Sequence, residues 1–222
     1  MERAGPLTRH DLPAGVVFDC DGTLADTESL SRRIWTEALA PYGLVPSDED
    51  FAAVLGHAWP RSYQRFARHA DLGGPDRFRA EVRAVAERVH AQELRLFDDA
   101  VSVLVALVEH EVPVAVASSS SRAHVQRCLA HGGLTDRVAV VVGADDVRRP
   151  KPDPEPYLQA VERLGRDAAA CTAIEDTVTG LTSARTAGMR TLAVDRGLVD
   201  ARSLAPVAAR VVTTLTLAAL RV

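Results

Sequence analysis

Short apolar runs alternate with longer stretches of helical periodicity, and no other feature of the chain constrains its fold as much. The apolar runs occupy residues 15–20, 112–118, 138–142, 170–175 and 190–194, with a weaker one at 210–213. They are continuous, as expected of strands covered on both faces. Helical patterns fill the intervals at 100–110, 121–131, 153–164 and 177–187. Pro154 opens the third of these, and Gly132, Gly165 and Gly188 follow the ends of the last three. Such alternation predicts an α/β fold, a parallel sheet with helices on both faces. Ligands of these sheets bind outside the carboxyl ends of the strands.

Residues 26–95 break the alternation. They read as four helices, 28–40, 47–55, 60–70 and 75–94, separated by turn signals at Tyr42-Gly43, Gly56 and Gly73-Gly74. A helical insert directly after the first strand is expected to cap the ligand edge of the sheet. The expected organisation is a catalytic core of residues 1–25 and 96–222 carrying a helical cap of residues 26–95.

Composition removes several classes. A chain of 222 residues buries a core without disulfide or metal staples. Its net charge of −4 gives no basic face for nucleic acid. No run approaches the ~20 apolar residues of a membrane span, and the charged, Pro-interrupted N-terminus lacks a signal peptide's apolar centre. Cys20, Cys128 and Cys171 are odd in number and far apart, matching neither a disulfide framework nor a CxxC metal site. A reducing, cytoplasmic setting is expected. With no heptad or large apolar stripe, a monomer is the default. One count stands out: Lys151 is the single lysine among 26 Lys and Arg residues. A compact ammonium kept where every other cation is Arg points to a tight site that a planar guanidinium does not fit.

Acids gather where the strands end. Asp19 and Asp21 follow the first strand, and Glu175 and Asp176 follow the fourth. Ser118 ends the second, and Lys151 lies after the third. In a parallel sheet all of these converge on one edge. Four carboxylates in one place repel, and need a divalent cation, a lysine or a shared proton. Oxygen-only ligands suit Mg²⁺. A carboxylate can attack phosphorus to give an aspartyl-phosphate, with a second carboxyl group as acid and base and Lys151 opposing the developing charge. Ser118 and the backbone N–H groups around Cys20 to Thr23 are expected to hold the phosphoryl oxygens.

The stretch Asp19-Cys20-Asp21-Gly22-Thr23-Leu24-Ala25-Asp26-Thr27-Glu28 resembles the first motif of the haloacid dehalogenase superfamily. Ser118 matches the second motif, Lys151-Pro152 the third, and Glu175-Asp176 with Thr177 and Gly180 the fourth. The order and spacing hold from Val16 to about Val194. The resemblance implies a Rossmann-like core with an inserted helical cap. It makes Asp19 the nucleophile and a Mg²⁺ ligand, and Asp21 the acid/base with its backbone carbonyl on the metal. Asp176 becomes a metal ligand and Glu175 a direct or water-mediated one. Ser118 and Lys151 bind the phosphoryl group, with Gly22, Thr23 and Ser119 or Ser120 as further contacts. In the cap, Glu28, His57 and Arg61 are the candidates for contact with substrate. The other histidines, His10, His69, His90, His110, His124 and His131, are read as lying on helix surfaces or loops. Cys20, between two acids, is expected to carry a raised thiol pKa and to be inert.

Within that superfamily, Asp21 argues against a dehalogenase, and the lack of a cap lysine argues against a phosphonatase. Ser31 and Trp59 stand where β-phosphoglucomutase-like members typically place a His and an Arg. The expected activity is a Mg²⁺-dependent phosphatase acting on a small phosphorylated metabolite, a sugar or polyol phosphate. A sugar-phosphate mutase and a non-catalytic binding module are the alternatives.

Overall fold

The computed structural model describes residues 7–54, 59–197 and 201–222. The chain divides into two units, Asp26–Arg95 and the remainder, Met1–Ala25 with Leu96–Val222.

The Asp26–Arg95 unit is helical: α1 (Glu28–Leu39), α2 (Asp48–Val54), α3 (Trp59–Ala67) and α4 (Pro75–Glu93). It holds seven of the chain's ten aromatic residues. A unit this small has little interior, and large flat side chains fill it efficiently. Trp35, Leu39, Phe66, Leu72 and Phe78 form its centre. The Trp35 ring lies 5.1 Å from Phe66 and 6.3 Å from Phe78. At the start of α2, Ser47 N–H donates to Asp50 Oδ2 (2.8 Å) and Asp50 N–H returns a bond to Ser47 Oγ (3.2 Å), a reciprocal cap.

The second unit is a six-stranded sheet of β1 (Gly15–Phe18), β2 (Val114–Ala117), β3 (Val140–Val142), β4 (Cys171–Glu175), β5 (Arg190–Val194) and β6 (Arg210–Val212). The order is β3-β2-β1-β4-β5-β6, with every neighbouring pair parallel. Its helices are α5 (Asp98–Glu109), α6 (Arg122–His131), α7 (Glu155–Leu164), α8 (Val178–Thr186) and a short α9 (Ala201–Leu204), which the sequence pattern did not announce. Strands β1, β2 and β4 are buried along their whole length, which is why they read as continuous apolar runs. In register, Val17 faces Ala115 on one side and Ala173 on the other. These three share a core cluster with Tyr157, Ala160 and Val161 of α7. The two alanines leave room for the fully buried Tyr157 ring, whose burial contributes on the order of 2 kcal/mol.

From β1 the chain builds outward to β2 and β3 on one side, then crosses to β4, β5 and β6 on the other. The carboxyl end of β1 is therefore the point where strand order reverses, the place where open α/β sheets bind ligands. The apolar run 15–20 extends beyond the strand because the backbone turns sharply there. Cys20 C=O accepts from Leu24 N–H and Ala25 N–H, both at 2.9 Å. The turn ends at Ala25, which forms an antiparallel bridge with Leu96. No helix among the described residues is long and apolar enough to cross a membrane.

Candidate active site

The site grows from the ends of β1, β2 and β4 and the loop before α7. Asp19 is the first residue past β1, and its N–H still bonds Ile174 C=O of β4 (2.9 Å). Lys151 reaches it from the loop before α7. Its three ammonium hydrogens go to Asp19 Oδ1 (2.6 Å), Glu175 Oε1 (2.7 Å) and Ala117 C=O (2.9 Å). The side chain is 3% exposed, so the charge is held by its partners rather than by water. Burial works against the ammonium, but Asp19 and Glu175 outweigh it and hold the Lys151 pKa well above the usual lysine range.

Glu175 ends β4 and is fully buried. Oε1 accepts from Lys151 and from Tyr157 O–H (3.1 Å), and Oε2 from Asp176 N–H, Thr177 N–H and Thr177 Oγ1. Five donors on one carboxylate make it an anchor for Lys151 and for the start of α8, where Thr177 also caps Gly180 N–H. Gly180 is small for this reason, since a Cβ there would lie 1.6 Å from Glu175 Oε1. Gly180→Ala is expected to push Glu175 off Lys151 and cost about 1–3 kcal/mol. That lowers Tm by roughly 3–10 °C in a chain this size, and turnover falls with it. A thermal melt and a rate unchanged from wild type would remove Glu175 from this role.

Asp176 sits beside Asp19 and Glu175, with a carboxylate oxygen of each within 4.8 Å of the others. Thr23 Oγ1 donates to Asp176 Oδ1 (3.2 Å). Burial first, and then Glu175 and Asp19, push Asp176 up to about 9. Burial, opposed by Lys151 but reinforced by Glu175 and Asp21, pushes Asp19 up to about 8. With all three ionised, three carboxylates against one ammonium would leave two negative charges, which is what the raised pKa values resist, and the donors are all oxygen. That deficit and that chemistry fit a hard divalent cation of the Mg²⁺ type.

Asp21 is held by other partners. Ser118 Oγ (3.1 Å) and Ser120 Oγ (2.8 Å) both donate to its Oδ2, and His124 Nε2 lies 2.8 Å from Oδ1. Ser120 N–H donates back to Ser118 Oγ (2.9 Å). The two aspartates of the first loop are thus separately tethered, Asp19 to an ammonium and Asp21 to hydroxyls and an imidazole. Gly22 between them and Asp176 adopts φ +83°, and its Cβ position would fall 2.2 Å from Asp176 Oδ2.

Asp19, Asp21, Ser118, Lys151, Glu175 and Asp176 all come together, along with Gly22 and Thr23. Gly22 N–H donates to Ala25 C=O (2.8 Å), so its amide serves the turn. Ser119 is exposed, and Ser120 is the serine that joins Ser118 at Asp21. Arg61 is an exposed residue of α3, and Glu28 is the half-buried first residue of α1. His57 lies outside the described residues.

His124 is the clearest correction. Its side chain is 13% exposed and faces Asp21 instead of solvent. Burial favours neutral imidazole, but the bonds to Asp21 and Cys128 raise its pKa to about 10. The signal was positional: Ser121 caps α6 by accepting from His124 N–H, so the first turn of a helix starting at the ligand edge carries this ring. Cys20 has the raised thiol pKa expected of it, through its bond with Cys128 first, then burial and the two acids.

A family model described as haloacid dehalogenase-like hydrolase matches residues 16–194. Fructose-1-phosphate phosphatase YqaB of Escherichia coli is 34% identical over 180 residues, covering 79% of this chain and 93% of that protein. Validoxylamine A 7'-phosphate phosphatase of Streptomyces hygroscopicus subsp. limoneus is 30% identical over 177 residues, covering 78% and 81%. Among solved structures, a HAD family hydrolase of Deinococcus radiodurans with bound phosphate and sodium superposes with a TM-score of 0.75 at 27% identity, over 92% of each chain.

Proposed function

The chain belongs to the haloacid dehalogenase-like hydrolases, and from that premise we propose that it hydrolyses a small phosphomonoester, a phosphorylated sugar or related polyol, through an aspartyl-phosphate on Asp19. The observation that carries this reading is the separate tethering of Asp19 and Asp21 beside a carboxylate cluster two charges in deficit. Relatives whose names specify a fructose phosphate and a validoxylamine phosphate support the substrate class.

Asp19 attacks phosphorus through its carboxylate oxygen. An oxygen–phosphorus bond forms as the ester P–O bond breaks, and the leaving oxygen takes a proton from Asp21. Asp21 then accepts a proton from the water that attacks the same phosphorus, and cleavage of the acyl-phosphate returns Asp19 as carboxylate with inorganic phosphate. Lys151 keeps Asp19 oriented and opposes the charge on the phosphoryl oxygens, and Ser118 Oγ, which donates to Asp21 in the resting site, turns to donate to one of them. Asp19, Asp176 and the Asp21 backbone carbonyl would hold Mg²⁺, with Glu175 contributing directly or through water, and the bound ion would supply neutralising charge for the approach of a carboxylate to a phosphate.

The test is phosphate release across a panel of sugar and polyol phosphates, with and without Mg²⁺, including β-glucose 1-phosphate with parallel assay for glucose 6-phosphate. Release from one preferred ester that needs Mg²⁺ is expected. Conversion of the 1-phosphate to the 6-phosphate with little release would make the chain a mutase. No turnover of any ester would leave it a binding module.

A further inference from the structure

A second set of ligating atoms lies against the first but has different chemistry. Cys20, His124 and Cys128 each bring one donor atom to within 4.8 Å of the other two. Cys20 comes from the loop after β1, while His124 and Cys128 are four residues apart and share one face of α6. The fold assembles what the sequence spacing concealed, since neither cysteine belongs to a CxxC pair.

We propose that Cys20, His124 and Cys128 bind a thiophilic divalent cation of the Zn²⁺ class, and that the bound cation silences Asp21. Two sulfurs and an imidazole nitrogen are a soft to borderline donor set, suited to Zn²⁺ and poorly suited to Mg²⁺. Tetrahedral zinc with bonds of ~2.0 Å to nitrogen and ~2.3 Å to sulfur separates those ligand atoms by about 3.5 Å. His124 Nε2 and Cys128 Sγ are 3.5 Å apart. Both sulfurs sit in buried residues, 0% and 2% exposed, where a cation would neutralise thiolates that water cannot reach.

Asp21 stands beside this cluster, its Oδ1 2.8 Å from the same His124 nitrogen. A cation bound through the Nε2 lone pair displaces the ring proton that now faces Asp21, which passes to solvent, and the carboxylate left without that bond is drawn to the cation as a further ligand. A coordinated carboxylate cannot carry a proton to a leaving group. The hard carboxylate cluster and the soft cysteine cluster then act in opposition, one cation supporting turnover and its neighbour stopping it. The inhibitory half of this inference rests on the phosphatase reading, whereas the binding half does not.

Co²⁺, a spectroscopic stand-in for Zn²⁺, tests binding. One equivalent bound to the Mg²⁺-saturated protein is expected to give a thiolate-to-metal charge-transfer band in the near ultraviolet. The band should disappear in Cys128→Ser and persist in Cys171→Ala, whose cysteine lies outside the cluster. Cys128→Ala replaces the serine variant if circular dichroism finds that one unfolded. Zn²⁺ is expected to inhibit phosphate release in excess Mg²⁺. In the Cys128 variant basal turnover should be retained, and half-inhibition should need about tenfold more Zn²⁺ or beyond, the factor set by the loss of ~1.4 kcal/mol or more of binding. A wild-type protein without the band, or a band that survives loss of Cys128, overturns the site. Equal Zn²⁺ sensitivity in wild type and variant overturns the silencing of Asp21. A band with no turnover of any ester overturns the phosphatase reading and leaves the site standing.

Discussion

Asp19→Asn is expected to lower kcat by about ten-thousand-fold or more, the scale seen when an enzyme's covalent nucleophile is removed. An amide at this position keeps a carbonyl oxygen for the Lys151 ammonium, which now bonds Asp19 Oδ1 at 2.6 Å. The fold should therefore survive the loss of chemistry. Stability gives a second readout. Burial and neighbouring acids raise the folded-state pKa of Asp19 from 3.8 to about 8, so the folded chain binds a proton more tightly there than the unfolded chain. That contribution is complete below about pH 4 and is lost as pH rises toward 8. In cation-free buffer the wild-type Tm should decline across this window, and Asn, which has no proton to lose, should flatten the decline. Thermal melts in a chelator between pH 5 and 8, beside single-turnover kinetics, check both statements. A variant turning over within tenfold of wild type would end the assignment of Asp19 as nucleophile.

Replacing Lys151 carries the largest expected effect on stability. Its ammonium is the charge partner of two buried carboxylates. Breaking a buried pair by deleting one member costs about 3–5 kcal/mol, because the other charge is left uncompensated. For Lys151→Ala this corresponds to a fall in Tm of roughly 10 °C or more. Lys151→Arg preserves charge but not shape. Three hydrogens of one nitrogen now converge on three oxygens at 2.6–2.9 Å, and a planar fork cannot reproduce that arrangement. The Arg variant should lose about a hundredfold or more in kcat, as when a preorganised donor is removed from a transition state. Near-normal rate and Tm in the Arg variant would show that charge alone suffices here. It would also return the single lysine of this Arg-rich chain to chance.

The central strands β1, β2 and β4 were legible because they are buried along their whole length and so read as unbroken apolar runs, as at Val16, Val17 and Phe18. The carboxyl ends of β1 and β4 were legible because Asp19 and the pair Glu175-Asp176 interrupt those runs. Glu175 could be placed at the strand end, but not its role. Two of its five hydrogen bonds, from Lys151 and Tyr157, come from residues 24 and 18 positions away, and such contacts are not written in a local pattern. His124 was hidden for a related reason. Helical periodicity sorts residues into apolar and polar faces, and a polar ring turned toward a buried carboxylate looks like one turned toward water. Ser120 turns toward Asp21 while Ser119 is exposed, a backbone direction after β2 that a run of four serines does not encode.

The bridge between Ala25 and Leu96 has a consequence for descent. Residues 26–95 begin and end on a stem that the sheet unit closes with its own hydrogen bonds, Gly22 to Ala25 and Phe97 to Leu24 among them. The entropy of closing a loop grows only with the logarithm of its length, so doubling what hangs from the stem costs about 0.6 kcal/mol. A graft at this junction can lengthen, shorten or change its fold with little thermodynamic consequence for the host. The chemistry of the carboxylates and the identity of the graft are thus free to diverge at different rates, like a tool handle that accepts many heads.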